Sequence, residues 1–170
     1  MTIELLRLGH RLPRDQRTTT HCALAARALG AEKMYYTGDR DQEMEKGLNS
    51  LTSRFGGPFS VEWIGQEYKF LEKKKKEGFV VVHLTMYGQD FEKTVVKEKK
   101  QILIVGGEKV PPELYQLSSY NISIGNQPHS EVAAIALYLY KNFGIKKSFK
   151  DAQVEIQPSE RGKILNRKES

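Results

Sequence analysis

Residues 101–111, Gln101-Ile102-Leu103-Ile104-Val105-Gly106-Gly107-Glu108-Lys109-Val110-Pro111, decide the fold class. Their apolar part is continuous rather than alternating, the pattern of a strand covered on both faces. It then breaks at Gly-Gly, where a chain leaving a sheet can turn sharply. Upstream, Phe79-Val80-Val81-Val82-His83-Leu84 has the same character, and Asn121-Ile122-Ser123-Ile124 is a shorter third candidate. Strand-like and helix-like segments alternate along the chain. This predicts an α/β fold, a single domain with a mostly parallel sheet.

Working outward, Ile3–Leu8 reads as a first strand ended by Gly9, followed by an arginine-rich loop from His10 to Arg17. Thr18, Thr19 and Thr20 offer N-cap hydroxyls to a helix whose apolar face is Cys22, Ala25, Ala26 and Leu29, and Gly30 stops it. A strand near Lys33–Tyr36 leads to a helix capped by Asp39, with Gln42 three residues on and Met44, Leu48, Leu51 and Phe55 along one side. Gly56-Gly57-Pro58 breaks that helix before a strand from Phe59 to Ile64. The helix Tyr68–Glu77 carries Lys73–Lys76, a run expected to form a solvated face. Further helices are expected over Gln89–Lys99, briefly after Pro111-Pro112, and over Ser130–Phe143. The last of these is expected to bury Val132, Ile135, Ala136, Leu139 and Phe143. After Gly144 the chain turns basic, and Asp151–Ile156 can pair with Lys163–Asn166 as a hairpin. That tail suits a sheet edge, a subunit contact or an RNA contact equally well.

Composition narrows the function classes. The chain has 170 residues, 39% hydrophobic and 28% charged, the balance of a soluble globular protein. No apolar run approaches a membrane span, and Met1–Leu8 lacks a signal-peptide pattern, so a cytoplasmic location is expected. One cysteine, Cys22, leaves no intrachain disulfide, and His10, His21, His83 and His129 show no metal-binding spacing, so no metal is expected. With 27 Lys and Arg against 21 Asp and Glu, the net charge is +6, which suits a polyanionic partner.

In an open parallel sheet, ligands bind at the carboxyl ends of the strands. Each of the three apolar strands in the second half runs into a glycine-bearing loop: Leu84–Gly88, Val105–Pro111 and Ile124–Glu131. Glycine lets main-chain groups approach a ligand, and Leu84, Met86, Val110 and Ile124 can form an apolar slot for a flat ring. The chain lacks the phosphate loop of nucleotide hydrolases, the GxGxxG of nicotinamide enzymes and the GxSxG of serine hydrolases. A second candidate site is the loop bearing Arg11, Arg14 and Arg17, just before a helix N-terminus, where phosphate is favoured. Arg17 and His21 are one helical turn apart.

These loops, in this order, resemble those of the SPOUT class of RNA methyltransferases, and within it the archaeal tRNA (cytidine-56) 2′-O-methyltransferases. The resemblance covers nearly the whole chain. It is carried by LRLGHRLPRDQRTTTHCALAARALGA, VHLTMYG, ILIVGGEKVPPELY and YNISIGNQPHSEVAAIALYLY. It implies a methyltransferase domain over 1–145 with a trefoil knot formed by roughly 79–143, and a basic extension over 146–170. It implies S-adenosyl-L-methionine held by Leu84, by Gly106, Gly107, Glu108, Lys109 and Val110, and by Ile124, Gly125, Asn126, Gln127, Pro128, His129, Ser130 and Glu131. It also implies tRNA as substrate, methylated at the ribose of the T-loop cytidine, and a homodimer in which one subunit often completes the other's pocket. Arg17 corresponds to the arginine of the family's first motif. Arg17 and His21 are therefore the candidates for catalysis, and Arg11, Arg14 and Arg17 for RNA contact. Glu108 and Glu131 are further candidates for binding the cofactor's cationic end or taking the proton, and His21 or His129 for taking the proton. Where ribose methylases of the wider class carry serine and asparagine before the final helix, this chain has His129-Ser130-Glu131. The alternatives are methylation of another RNA ribose or base, or an RNA-binding module without catalysis.

Overall fold

The computed structural model describes residues 1–107 and 109–168. Strands β1 (Thr2–His10), β2 (Lys33–Gly38), β3 (Ser60–Trp63), β4 (Val80–Asp90), β5 (Lys100–Val105) and β6 (Tyr120–Ser123) form one six-stranded sheet in the order β3-β2-β1-β5-β4-β6. Every neighbouring pair in it is parallel, as the alternating pattern predicts.

The unbroken apolar runs are explained by burial on both faces. Successive residues of a strand point to opposite sides, so each run feeds two cores. Leu5, Val82, Leu84, Leu103 and Val105 face one cluster, with Cys22, Ala23 and Ala26 of α1 (Gln16–Ala28), Met44 and Leu48 of α2 (Gln42–Phe55), and Ile135, Tyr138 and Leu139 of α5 (Glu131–Phe143). Leu6, Leu8, Val81, Ile102 and Ile104 face the other, with Leu71 of α3 (Glu67–Lys76) and Leu114 of α4 (Pro112–Leu117). The small residues Cys22, Ala23 and Ala26 are fully buried, which lets α1 pack closely against its neighbours.

Several local expectations are corrected. Strand β1 runs through Gly9 to His10, with a bulge between Arg7 and His10. Helix α1 begins at Gln16, ahead of the threonines, and Asp15 at its head makes no cap because its carboxylate is taken by Arg11 at 2.9 Å. Thr19 is buried against His10 Nδ1 at 2.8 Å instead of capping. The cap of α2 is Asp41, which accepts from Met44 N at 2.9 Å; Asp39 is turned away to accept from Leu12 N. In α5, Ala134 and Tyr138 are buried beside Ile135 and Leu139, while Val132, Ala136 and Phe143 are half-buried.

The helix expected over Gln89–Lys99 is absent. Residues to Asp90 belong to β4, and Asp90 then holds a turn through Glu92 N and Thr94 N. Thr94-Val95-Val96 follows, a β-branched run that resists helix, and Phe91 and Val96 are buried in the core instead.

The lysine run is also not uniformly solvated. Lys74 is buried, with its ammonium 2.6 Å from the Glu4 carboxylate and 4.7 Å from the centre of the Phe79 ring. Each charge answers the other in an otherwise apolar layer, and Glu77, 3.7 Å from the same ammonium, adds a second and more exposed partner.

The tail forms the expected antiparallel hairpin, β7 (Val154–Gln157) with β8 (Ile164–Arg167). Among the described residues, no helix is long and apolar enough to cross a membrane.

Candidate active site

Because the sheet is parallel, the loops leaving its carboxyl ends share one edge. There, β4, β5 and the start of α5 enclose a cavity of about 610 Å³, within the usual range of small-molecule sites. Its walls include Leu84, Met86, Tyr87, Gly106, Gly107, Lys109, Val110, Tyr115, His129 and Glu131.

The segment read as the first loop, Leu84–Gly88, is part of β4 but leaves the ladder. Leu84 and Gln89 both register with Ile122, so the residues between them bulge out and bring Met86 and Tyr87 into the cavity wall. Gly88 is required where this bulge closes on β6, since a β-carbon there would lie 2.5 Å from the Asn121 backbone. Asn126 Nδ2 donates to Met86 O at 2.7 Å and to Ser123 Oγ at 3.2 Å, tying the loop after β6 to the bulge. Ser130 accepts from Ala133 N and caps α5, which places Glu131 on its first turn.

Of the residues expected to hold a cofactor, Leu84, Gly106, Gly107, Lys109, Val110, His129 and Glu131 line the cavity. Ile124, Gly125, Asn126, Gln127, Pro128 and Ser130 are not part of its wall; Asn126 and Ser130 shape it from behind. Glu108 lies outside the described residues. At Gly106 a β-carbon would come within 2.3 Å of Val110 Cγ2, whereas at Gly107 the nearest atom is Leu8 O at 3.8 Å. The first glycine lets the loop close on itself, and the second leaves its backbone open beside the cavity.

Beneath Glu131 sits a buried cation that the sequence reading missed. Arg7, 2% exposed, lies 3.8 Å from both Glu131 and Asp15 and donates to Leu8 O at 2.8 Å. Its position on an apolar strand, flanked by Leu6 and Leu8, was the available signal: a charge there needs partners. Burial raises the Asp15 carboxyl, but the Arg11 hydrogen bond and the charges of Arg7 and its neighbours outweigh it, and the net shift is downward.

His83 was also missed. It is buried in the wall, hydrogen-bonded through Nδ1 to Asn121 Oδ1 at 2.9 Å and edge-on to Tyr115 at 4.7 Å. Burial lowers the pKa of His83, and burial with the nearby Arg7 charge lowers that of His10. Both are depressed from 6.5, so between the folded and unfolded values the unfolded chain binds more protons. Their contribution to stability is present above the unfolded value and lost as pH falls below it. The melting temperature should therefore drop between about pH 7 and pH 5, and less steeply in His83→Gln. An unchanged slope in that variant would remove His83 from the account.

Arg11, Arg14, Arg17 and His21 are all exposed. Arg17 and His21 line a separate hollow of about 300 Å³ with Gln16, Thr20, Asp41 and Met44. That hollow shares no lining residue with the larger cavity. Within one chain, the structure does not bring the candidate catalytic pair into the wall of the candidate cofactor site.

Comparison with solved structures defines the class. The fold matches the TrmH/SpoU tRNA modifying enzyme of A. aeolicus, with TM-score 0.62, 16% identity, and coverage of 82% of this chain and 72% of that one. It also matches the SpoU methyltransferase AviRb from Streptomyces viridochromogenes, solved in complex with AdoMet, with TM-score 0.61, 17% identity, and coverage of 82% and 56%. This is the SpoU-type methyltransferase fold.

Sequence comparison shows the family. Residues 55–166 match the family model described as tRNA ribose 2′-O-methyltransferase, aTrm56, and the chain belongs to this family. It is 43% identical to the tRNA (cytidine(56)-2′-O)-methyltransferase of Methanopyrus kandleri, covering 96% of this chain and 95% of that protein. It is 44% identical to the enzyme of the same name from Methanocaldococcus jannaschii, covering 98% and 97%. The family match extends into β8, the second strand of the hairpin.

Proposed function

We infer that this chain is an S-adenosyl-L-methionine-dependent methyltransferase acting on the ribose 2′-oxygen of the cytidine at tRNA position 56. The observation that carries the reading is the cavity at the carboxyl ends of β4 and β5, in a chain of this family. Among the described residues, its wall combines an open glycine backbone with apolar side chains and the Glu131 carboxylate.

The residues present fit the cofactor. Leu84, Met86 and Val110 offer apolar surface to an adenine ring, the backbone at Gly106 and Gly107 offers main-chain hydrogen bonds, and Glu131 offers negative charge to a cationic end. When bound, S-adenosyl-L-methionine supplies an electrophilic methyl group on a sulfonium.

The rest of the task falls to the protein. A neutral ribose hydroxyl is a weak nucleophile, so a group at the site must take its proton. Glu131 and His129 are the titratable groups proposed for that role; His83 is engaged with Asn121. Holding the reactants aligned can contribute roughly 7–11 kcal/mol in favourable cases. Arg17 is assigned to the target phosphate and the charge developing on the ribose oxygen, with His21 beside it and Arg11 and Arg14 on flanking phosphates.

A homodimer reconciles these roles, because Arg17 and His21 then serve the cavity of the other subunit. The uncovered apolar side chains Leu137 and Tyr140 on α5, 49% and 59% exposed, support such an interface. A knotted path through residues 79–143 is part of the reading. It is supported by the strand order, since β5 and β6 flank β4 and the chain between them must cross it. The expected setting is the cytoplasm. Incubation with S-adenosyl-L-methionine and an unmodified tRNA transcript, followed by nucleoside analysis, tests the reading: 2′-O-methylcytidine supports it, and its absence counts against it.

A further inference from the structure

Beside the cofactor cavity lies a second cleft, of about 680 Å³, over the carboxyl ends of β1, β2 and β3. The two share Gly107 and Lys109, so one loop forms a wall of each. A methyl acceptor must lie next to its donor, and this is the neighbouring space on the same sheet edge.

The cleft holds an aromatic ring in a fixed orientation. Trp63, the last residue of β3, donates from its indole nitrogen to Gly38 O at 2.8 Å and remains 37% exposed. Gly65 lies against its six-membered ring, where a β-carbon would come within 3.2 Å of Cη2. A pre-oriented, partly exposed indole is a stacking platform for an unpaired base.

The charged groups around it are mixed. Asp39 and Glu67 bring carboxylates, and Arg11 and Lys109 bring cations. A site for phosphate alone would not need the carboxylates, which only accept hydrogen bonds when ionised. Cytosine presents an exocyclic amine as donor where uracil presents an acceptor, so carboxylates favour cytosine.

We propose that this cleft receives the base of the target cytidine, stacked on Trp63 and read through Glu67 and through Asp39, whose Oδ2 is held by Leu12 N at 2.9 Å so that the carboxylate is fixed in place. The proposal rests on the ribose-methylation reading above and adds to it where the base sits.

Trp63 is the sole tryptophan of the chain beside eight tyrosines, so emission excited at wavelengths that only tryptophan absorbs reports on the cleft. The protein is titrated with a T-arm hairpin RNA carrying cytidine at the target position, and with the same hairpin carrying an abasic residue there. Binding of each is followed in parallel by gel mobility. The cytidine hairpin should change the emission saturably, and the abasic hairpin should bind with little change. Binding of the cytidine hairpin without an emission change, or equal changes from both, would overturn the proposal.

In turnover, Trp63→Ala should raise KM for the hairpin about tenfold or more, with affinity for S-adenosyl-L-methionine unchanged. Trp63→Phe should recover most of that loss. Both variants lose the bond to Gly38, so equal impairment of the two would assign Trp63 a structural role and defeat the proposal. Absence of methyl transfer to tRNA by the native protein would instead overturn the functional reading itself.

Discussion

Gly107→Val is expected to weaken S-adenosyl-L-methionine binding by about a hundredfold or more, ~2.7 kcal/mol, while leaving the protein folded. The substitution separates the two because of where the glycine stands. A β-carbon at Gly107 meets nothing nearer than Leu8 O at 3.8 Å, so the folded chain has room for it. Stability should therefore change by no more than about 0.5 kcal/mol. The ligand does not have that room, since the added side chain occupies the approach to the open backbone of the loop. Gly106 is the contrasting position: a side chain there meets Val110 first and disturbs the loop itself. Calorimetric titration with the cofactor, alongside a thermal melt, checks both halves. Native affinity in a folded Gly107→Val protein would move the cofactor away from this cavity.

Arg17→Ala is expected to reduce methyl transfer by about a thousandfold while affinity for S-adenosyl-L-methionine stays within about twofold of native. In its own chain Arg17 borders a hollow that shares no residue with the cofactor cavity. A direct role in the reaction then requires the cavity of a partner subunit. Mixing the two inactive variants, Arg17→Ala and Gly107→Val, makes this measurable. If the chain pairs as proposed and Arg17 serves the partner's cavity, random pairing gives half heterodimers, each with one site that has both an intact cavity and an intact Arg17. Activity should return to about a quarter of native in an isologous dimer. If Arg17 acts within its own chain, every site in the mixture carries one defect and no activity returns.

The parts of the fold that were legible in the sequence are those whose pattern is set by burial on both faces. Phe79–Leu84 and Gln101–Val105 read as buried strands because each faces a core on either side of the sheet. The closing helix was legible from its apolar spacing, although the structure starts it at Glu131 and makes Ser130 its cap. The segment after β4 was not. Gln89–Lys99 has helix-like polar residues, but Asp90 holds a turn and Phe91 and Val96 are drawn into the core, and tertiary packing overrides local propensity. Capping was misassigned at α1 because the helix begins at Gln16, ahead of the threonines, with Thr19 buried against His10, and at α2 because Asp39 is engaged by Leu12 N, a partner far away in sequence that local spacing cannot reveal.

Legibility of the site divides along the same line. Gly106, Gly107, Val110, His129 and Glu131 announced themselves by composition at strand ends. Arg7, His83 and Tyr115 did not, since their importance comes from what the fold sets against them: Glu131 at 3.8 Å, Asn121 at 2.9 Å, and the His83 ring at 4.7 Å. Trp63 stood in a segment read only as a strand; it ends the edge strand β3, and the cleft it lines meets the first cavity at Gly107 and Lys109, a juxtaposition that needs the sheet order, with β5 adjacent to β1.

Methylation of a ribose oxygen, and not of a base, is tested by one paired measurement. Two tRNAs are compared, identical except that one carries 2′-deoxycytidine at position 56, the position named for the M. kandleri relative. Transfer of the labelled methyl group from S-adenosyl-L-methionine is then followed. The account predicts stoichiometric labelling of the ribose-containing tRNA and none of the deoxy form. Equal labelling of the two would contradict it, because the methyl group would then reside on a base or at another position.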